Sequence, residues 1–303
     1  MSETLAERGG LVSAGRRVVI LVWATILTLA PCVVGIAVLA AGHVVGGYVA
    51  ELARPGGWFD VPLVETPLAA LAATVAALGS YVLLVRLAER RWPSELARVS
   101  AVRELGLGIV VAALAFGLLM GVLTVSGAVV WRPPPLVDWR WALASGLSEG
   151  AFAGLLLGLV VQGGTARLGA RALGPVAGVA LAALVASWLV SPEWALPPTH
   201  RVNAALGGAI LGLVWLRRQR LWLGLGLATG WGALTGAVIG GYALDCGYDS
   251  TEAFIYEPGR GALIAWLRGT GGPESSIPLL AGCALAVAWL AWRAWKEGRF
   301  SRA

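Results

Sequence analysis

The sequence predicts an all-α, polytopic integral membrane protein of about eight transmembrane helices with both termini in the cytoplasm. Three observations predict it. Of the 303 residues, 58% are hydrophobic and only 13% charged, with a mean hydropathy of +0.77, whereas a soluble domain carries about 25% charged residues. So little polar surface cannot wrap so much apolar mass. The apolar residues also come in uninterrupted runs that reach the roughly 20 residues a bilayer-crossing helix needs. Finally, Lys and Arg are divided unequally between alternate connections, the pattern that sets membrane orientation.

Charge-free runs give the spans in order: Val18 to about Val44, Pro67 to Val85, Leu105 to Val130, Trp141 to Ala166, Ala172 to Ser191, Val202 to Leu216, Leu221 to Leu244 and Ile277 to Trp292. Arg16 and Arg17 precede a run that superficially fits a secretory or twin-arginine signal, but the stretch from Val18 to Ala50 is far longer than a signal core and is expected to stay as an anchor. The sixth span has 15 residues, about 22 Å of helix against a hydrocarbon core near 30 Å. It is expected to be recessed, flanked by partly buried loop or joined to its neighbour by a tight turn. With the N-terminus inside, 17 of the 23 basic residues fall on the cytoplasmic side, and the asymmetry repeats at each crossing.

Between the spans, residues 1–140 form an N-terminal three-helix segment, 141–292 a helical core and 293–303 a basic cytoplasmic tail. The stretch 86–104, RLAERRWPSELARVSAVRE, carries a helical start at Ser94. It reads equally as an amphipathic segment on the cytoplasmic surface, with arginines near anionic lipid, or as a solvated connecting helix. The outer loop 245–276 gathers Asp245, Asp249, Glu252 and Glu257, and ends in GTGGPESS, whose glycines suggest tight turns. Gly and Ala saturate the spans, as in GAFAGLLLG and AALGGAILG, which favours close helix packing where lipid supplies no hydrophobic drive. Tryptophans such as Trp58, Trp131, Trp139, Trp141, Trp194 and Trp292 sit at span ends, where amphipathic rings favour the interface.

Several function classes fall away. The net charge of +6 and pI of about 9.8 come from residues scattered between apolar runs, so no nucleic-acid surface is expected. Cys32, Cys246 and Cys283 show no C-x-x-C spacing and no disulfide framework. Two histidines, His43 and His200, allow no H-E-x-x-H or comparable metal site, and no G-x-S-x-G accompanies an intramembrane serine. Nothing asks for a cofactor. Arginine outnumbers lysine 22 to 1 and Gly reaches 42 residues, a bias that suggests GC-rich coding and a bacterial inner membrane.

Glu149 is the one Asp, Glu, Lys or Arg inside a span. Such a residue is expensive and stands as a functional-site candidate; the competing reading is a protonated or hydrogen-bonded packing residue near the interface.

The stretch from Arg201 to Leu234, with Leu221-Trp222, Gly226, Leu227, Gly230 and Trp231, and the later Gly269 to Ser276, resembles the CPBP membrane proteins. These include type II CAAX prenyl endopeptidases and bacteriocin-processing or abortive-infection-type proteins. The resemblance covers roughly 141–290. It implies a helical core in which an E-E-x-x-x-R motif, an F-x-x-x-H motif and an H-x-x-x-N/D motif activate a water for peptide hydrolysis. Placed on those motifs, Glu149 takes the second Glu position, while Ser148 stands for the first and Ala153 for the Arg. Ser187 and Ser191 occupy the Phe and His positions, and Ala228 and Gly232 those of the His and Asn/Asp. What the resemblance implies is therefore a catalytically degenerate relative that binds a membrane protein partner or a prenylated peptide among membrane lipids. Two alternatives stand: an active endopeptidase in which Glu149 and His200 or His43 form a remodelled site, and a channel or transporter that uses the intramembrane carboxylate.

Overall fold

The structure, a computed structural model, describes residues 3–53, 61–97, 100–132, 139–190, 197–239, 255–258 and 273–301. Trp58, Trp194, Ser191 and most of the acidic outer loop lie outside the described residues.

Apolar runs become helices because every backbone N–H and C=O must be satisfied internally in lipid. The elements in chain order are α1 (Glu3–Ala53), α2 (Val61–Ala88), a 3₁₀ turn (Ser94–Leu96), α3 (Ala101–Val125), β1 (Val129–Arg132), α4 (Trp139–Gly158), a π-helical segment (Leu159–Ala166), α5 (Arg167–Leu173), α6 (Pro175–Val190), α7 (Pro198–Arg218), α8 (Trp222–Ile239), β2 (Ile255–Pro258), a second 3₁₀ turn (Pro273–Ser275) and α9 (Ile277–Lys296). The two strands form one antiparallel ladder, with Val129 opposite Pro258 and Arg132 opposite Ile255. Five stretches are long and apolar enough to cross a membrane: Gly15–Gly46, Thr66–Leu87, Ala101–Val125, Gly146–Leu173 and Ile277–Lys296; Pro175–Leu189 is a shorter apolar helix. Such a set fits a multi-pass membrane protein.

The fourth of these stretches is the axis of the bundle. Its most apolar window is 83% buried, against 11–33% for the other four, because α4 packs along α8, α2 and the π segment while α8 packs along α3. The outer faces of α1 and α3 stay apolar and exposed, as in Val19 at 67% and Leu118 at 72%, the surface lipid would cover. A T-shaped contact of Phe116 with Trp231, centroids 5.6 Å apart, closes the α3–α8 side.

Two boundaries differ from the hydropathy reading. The basic residues at 167 and 171 interrupt the apolar run but not the helix: α4, the π segment and α5 follow one another without a break from Trp139 to Leu173. The chain turns only at Gly174, whose φ of +97° and ψ of 162° lie where essentially only glycine is unstrained, followed by Pro175 at the start of α6. The sixth helix is also longer than expected. It takes in Thr199, His200 and Arg201 before the apolar run, and its 21 residues make about 31 Å at 1.5 Å per residue, so no recess is needed. The helix start expected at Ser94 is a single 3₁₀ turn. The tail beyond 293 does not simply hang free: Phe300 packs on the core and the Arg299 N–H bonds the Ala294 carbonyl.

Candidate functional site

On α4, positions 149 and 150 differ by about 100° around the helix, and this decides which candidate residues meet. Gly150 and Gly154 face α8. A Cβ at Gly150 would overlap the Gly232 carbonyl, one at Gly154 the Ala228 carbonyl, and one at Gly232 the Gly150 carbonyl. Ala228 and Gly232 are thus brought to α4, but against glycine backbone, in a seam with no room for a water between the helices. Glu149 points to α1, where its Oε1 lies 3.7 Å from Nε2 of His43, both side chains partly exposed. Ser148 donates to the Ala144 carbonyl at 2.7 Å, and Phe152 is 3% exposed, its ring under Gly35. Ser187 stands on α6, which packs chiefly along α7; Ser191 lies outside the described residues. His200 is buried at the start of α7 with Nδ1 3.5 Å from the Ser275 hydroxyl.

The residues that carry the family resemblance have packing roles. Gly226 lets α8 approach the Leu105 carbonyl and Gly230 the Ile109 backbone, Trp231 meets Phe116, and Leu221 is fully buried beneath the turn at Gln219. Burial raises the Glu274 carboxyl above its ordinary range, opposed by a hydrogen bond from Trp231. The Pro-Glu-Ser turn is held on α7 by Asn203, whose Nδ2 donates to the Glu274 carbonyl at 2.8 Å.

A charged cluster that the sequence did not reveal sits at the opposite end. Arg167, 2% exposed, donates from Nη2 to Glu89 Oε1 at 2.6 Å, from Nη1 to Glu89 Oε2 at 3.0 Å, and from Nε to the Gly163 carbonyl at 2.9 Å. Its Nη1 also lies 3.1 Å from Oε1 of Glu95, which is 4% exposed. Arg91 grips both acids, and the Tyr81 hydroxyl donates to Glu95 at 2.9 Å. Burial alone would raise both carboxyls. In Glu89 the hydrogen bonds and charge of Arg167, then those of Arg91, prevail and hold it at about 2; in Glu95 the Arg91 hydrogen bonds and the Arg167 charge bring it below the ordinary range. The π segment contributes directly, since Gly163 admits the Tyr81 ring, which a Cβ would meet at 2.8 Å. In the same segment Gln162 is wholly buried, with neither amide atom partnered.

Beside this cluster lies an open vestibule of about 1480 Å³ between the Arg16–Trp23 stretch of α1, the α5–α6 corner, the end of α7 and the C-terminal turn. Arg16, Arg17, Arg91, Arg171 and Arg299 line it, with Glu89 the one acid. Among the described residues, no three His, Cys, Asp or Glu side chains gather into a metal site; the His43–Glu149 pair offers two donors at most.

The bundle and its polar clusters define a helical protein fit for multiple membrane passes. Comparison of the chain with models of known families, with curated proteins and with solved structures finds no match in any of the three.

Proposed function

We propose that the protein is a non-hydrolytic relative of the CAAX-type intramembrane endopeptidases: an eight-crossing protein of the bacterial inner membrane, termini in the cytoplasm, that binds a membrane protein or a lipidated peptide without cleaving it. The observation that carries this reading is the α4–α8 seam. Hydrolysis within a bundle needs an aqueous cleft in which a carboxylate and its partners converge on one water. At the positions where the resemblance puts those partners, Ala228 and Gly232 supply no reactive group, and their backbone abuts Gly154 and Gly150. The lone carboxylate of Glu149 is turned away towards α1. The seam favours a scaffold over a catalyst. Incubating the purified protein in nanodiscs with a prenylated CAAX peptide should give no product; time-dependent cleavage that disappears in Glu149→Gln would overturn the reading.

A specific observation favours a second reading. His43 and Glu149 come from helices distant in sequence and meet at 3.7 Å, a pair able to hold and pass a proton. If this pair works as a remodelled acid–base site, His43→Gln and Glu149→Gln should abolish cleavage equally, with no added effect in the double variant.

A further inference from the structure

The vestibule at the arginine-rich end has the chemistry of an anion receptor. Five arginines line it against one carboxylate, and that carboxylate is already engaged by Arg167, Arg91 and Arg171. Among the described residues no acid pairs with Arg16 or Arg17. The nearest carboxylate oxygen to Nε of Arg299 is 3.9 Å away, beyond a hydrogen bond.

Independently of charge, three N–H groups of the lining residues are buried without an acceptor: Nε1 of Trp23, Nε1 of Trp215 and Nε of Arg299. Trp215 is 94% buried by its 6% exposure. These nitrogens are sealed from solvent by the surrounding side chains, so they belong to the wall and not to the surface a ligand would touch. The arginines that line the opening offer donors only, and their complement is a group of acceptor oxygens such as those of a phosphate ester.

The rest of the wall is apolar, with Ile20, Leu168, Leu173 and Leu216 among its residues. This apolar lining and the arginines enclose one vestibule. Its volume exceeds the roughly 300–1,000 Å³ of an ordinary small-molecule pocket, leaving room for a head group and the upper part of its chains.

We propose that this vestibule binds the phosphate of an anionic amphiphile, the oxyanion held by Arg16, Arg17 and Arg299 and the upper part of the chains against Ile20, Leu168 and Leu173 of its wall. Basic pockets between membrane helices bind anionic head groups by the same physics. The site is separate from the α4–α8 seam, so it stands whether or not the protein hydrolyses anything.

The test uses the full chain in nanodiscs of phosphatidylcholine alone or mixed with phosphatidylglycerol, with native mass spectrometry counting retained lipids. Each basic side chain near an anionic surface contributes a factor of about five, so retention of phosphatidylglycerol over phosphatidylcholine by ~10-fold or more is expected. The Arg16→Gln/Arg17→Gln/Arg299→Gln variant should reduce that preference to within about twofold. The single Arg17→Gln variant should lower it by about fivefold, the contribution of one basic side chain. Unchanged melting temperatures of both variants in phosphatidylcholine verify their folds. A parallel arm adds inorganic phosphate to the protein in phosphatidylcholine. A melting-temperature rise in the wild type that the triple variant lacks, without a lipid preference, would keep the oxyanion site but overturn the amphiphile as its occupant. A lipid preference that survives in both variants, or no response to either probe, would overturn the site.

Discussion

Arg167 shows how a full charge is accommodated at the end of an apolar run. Its guanidinium is satisfied on every nitrogen, by the Gly163 carbonyl and by Glu89, with Glu95 close by, so it is held within the helix and not in a loop. Removing one partner of a buried pair leaves the other uncompensated, a loss of about 3–5 kcal/mol. Arg167→Met should therefore destabilise the protein by that amount in denaturant titrations of the detergent-solubilised form. Arg167→Lys should recover only part of it, for want of the planar fork. Because the Glu89 carboxyl is held down at about 2, the folded state keeps it ionised where the unfolded chain, with an ordinary value of about 4.3, takes up a proton. The stabilisation is complete above that ordinary value and is lost as pH falls through about 2. Melting temperature should thus decline between pH 5 and pH 3, and Glu89→Gln should flatten that decline. The cluster escaped the sequence reading because Glu89 and Glu95 sit in an arginine-rich stretch that looks like surface. Only the fold brings Arg167 from 78 residues away.

At the scale of elements, α8 is read most fully by its small residues. Ala228, Gly232 and Gly236 form one row towards α4, where Gly146, Gly150 and Gly154 answer at the same four-residue spacing, while Gly226 and Gly230 form another row towards α3. Small residues four apart let backbones approach where lipid offers no hydrophobic drive. A methyl group at Gly154 or Gly232 would meet carbonyl backbone that cannot swing aside, so Gly154→Ala and Gly232→Ala should each lower the melting temperature. Gly121→Ala on α3, where nothing lies within 4 Å of the added carbon, should hold it or raise it slightly, by up to about 1 kcal/mol in stability. Equal effects at all three positions would refute the seam. Close packing of these helices was legible in the Gly and Ala content. Which row met which helix was not, because both rows lie in one sequence run.

Over the whole molecule, Arg16, Arg17, Arg171 and Arg299 converge at one end of the bundle, where Arg217 also meets Glu297 at 2.6 Å; the β1–β2 ladder and the Pro273–Ser275 turn occupy the other. Under the orientation proposed above, that end is the cytoplasmic face. In a variant freed of native cysteines, a cysteine at exposed Ser301 should resist a membrane-impermeant thiol reagent in intact cells. One at Trp131, 40% exposed on β1, should react; the reverse pattern would invert the orientation. The helical class and the wealth of apolar spans followed from composition and run length alone, because lipid leaves the backbone few other choices. Helix ends did not follow so closely, since a charge ends a hydropathy run while a helix ends only where the backbone must turn, as at Gly174. The sequence by itself determined a bundle of closely packed apolar helices, several of them long enough to cross a membrane, for those properties are sums over local residues. The tertiary structure alone decided that Glu149 faces His43, that Ala228 and Gly232 close on glycine, and that the arginines enclose a vestibule, because each depends on which helix faces rotate towards one another.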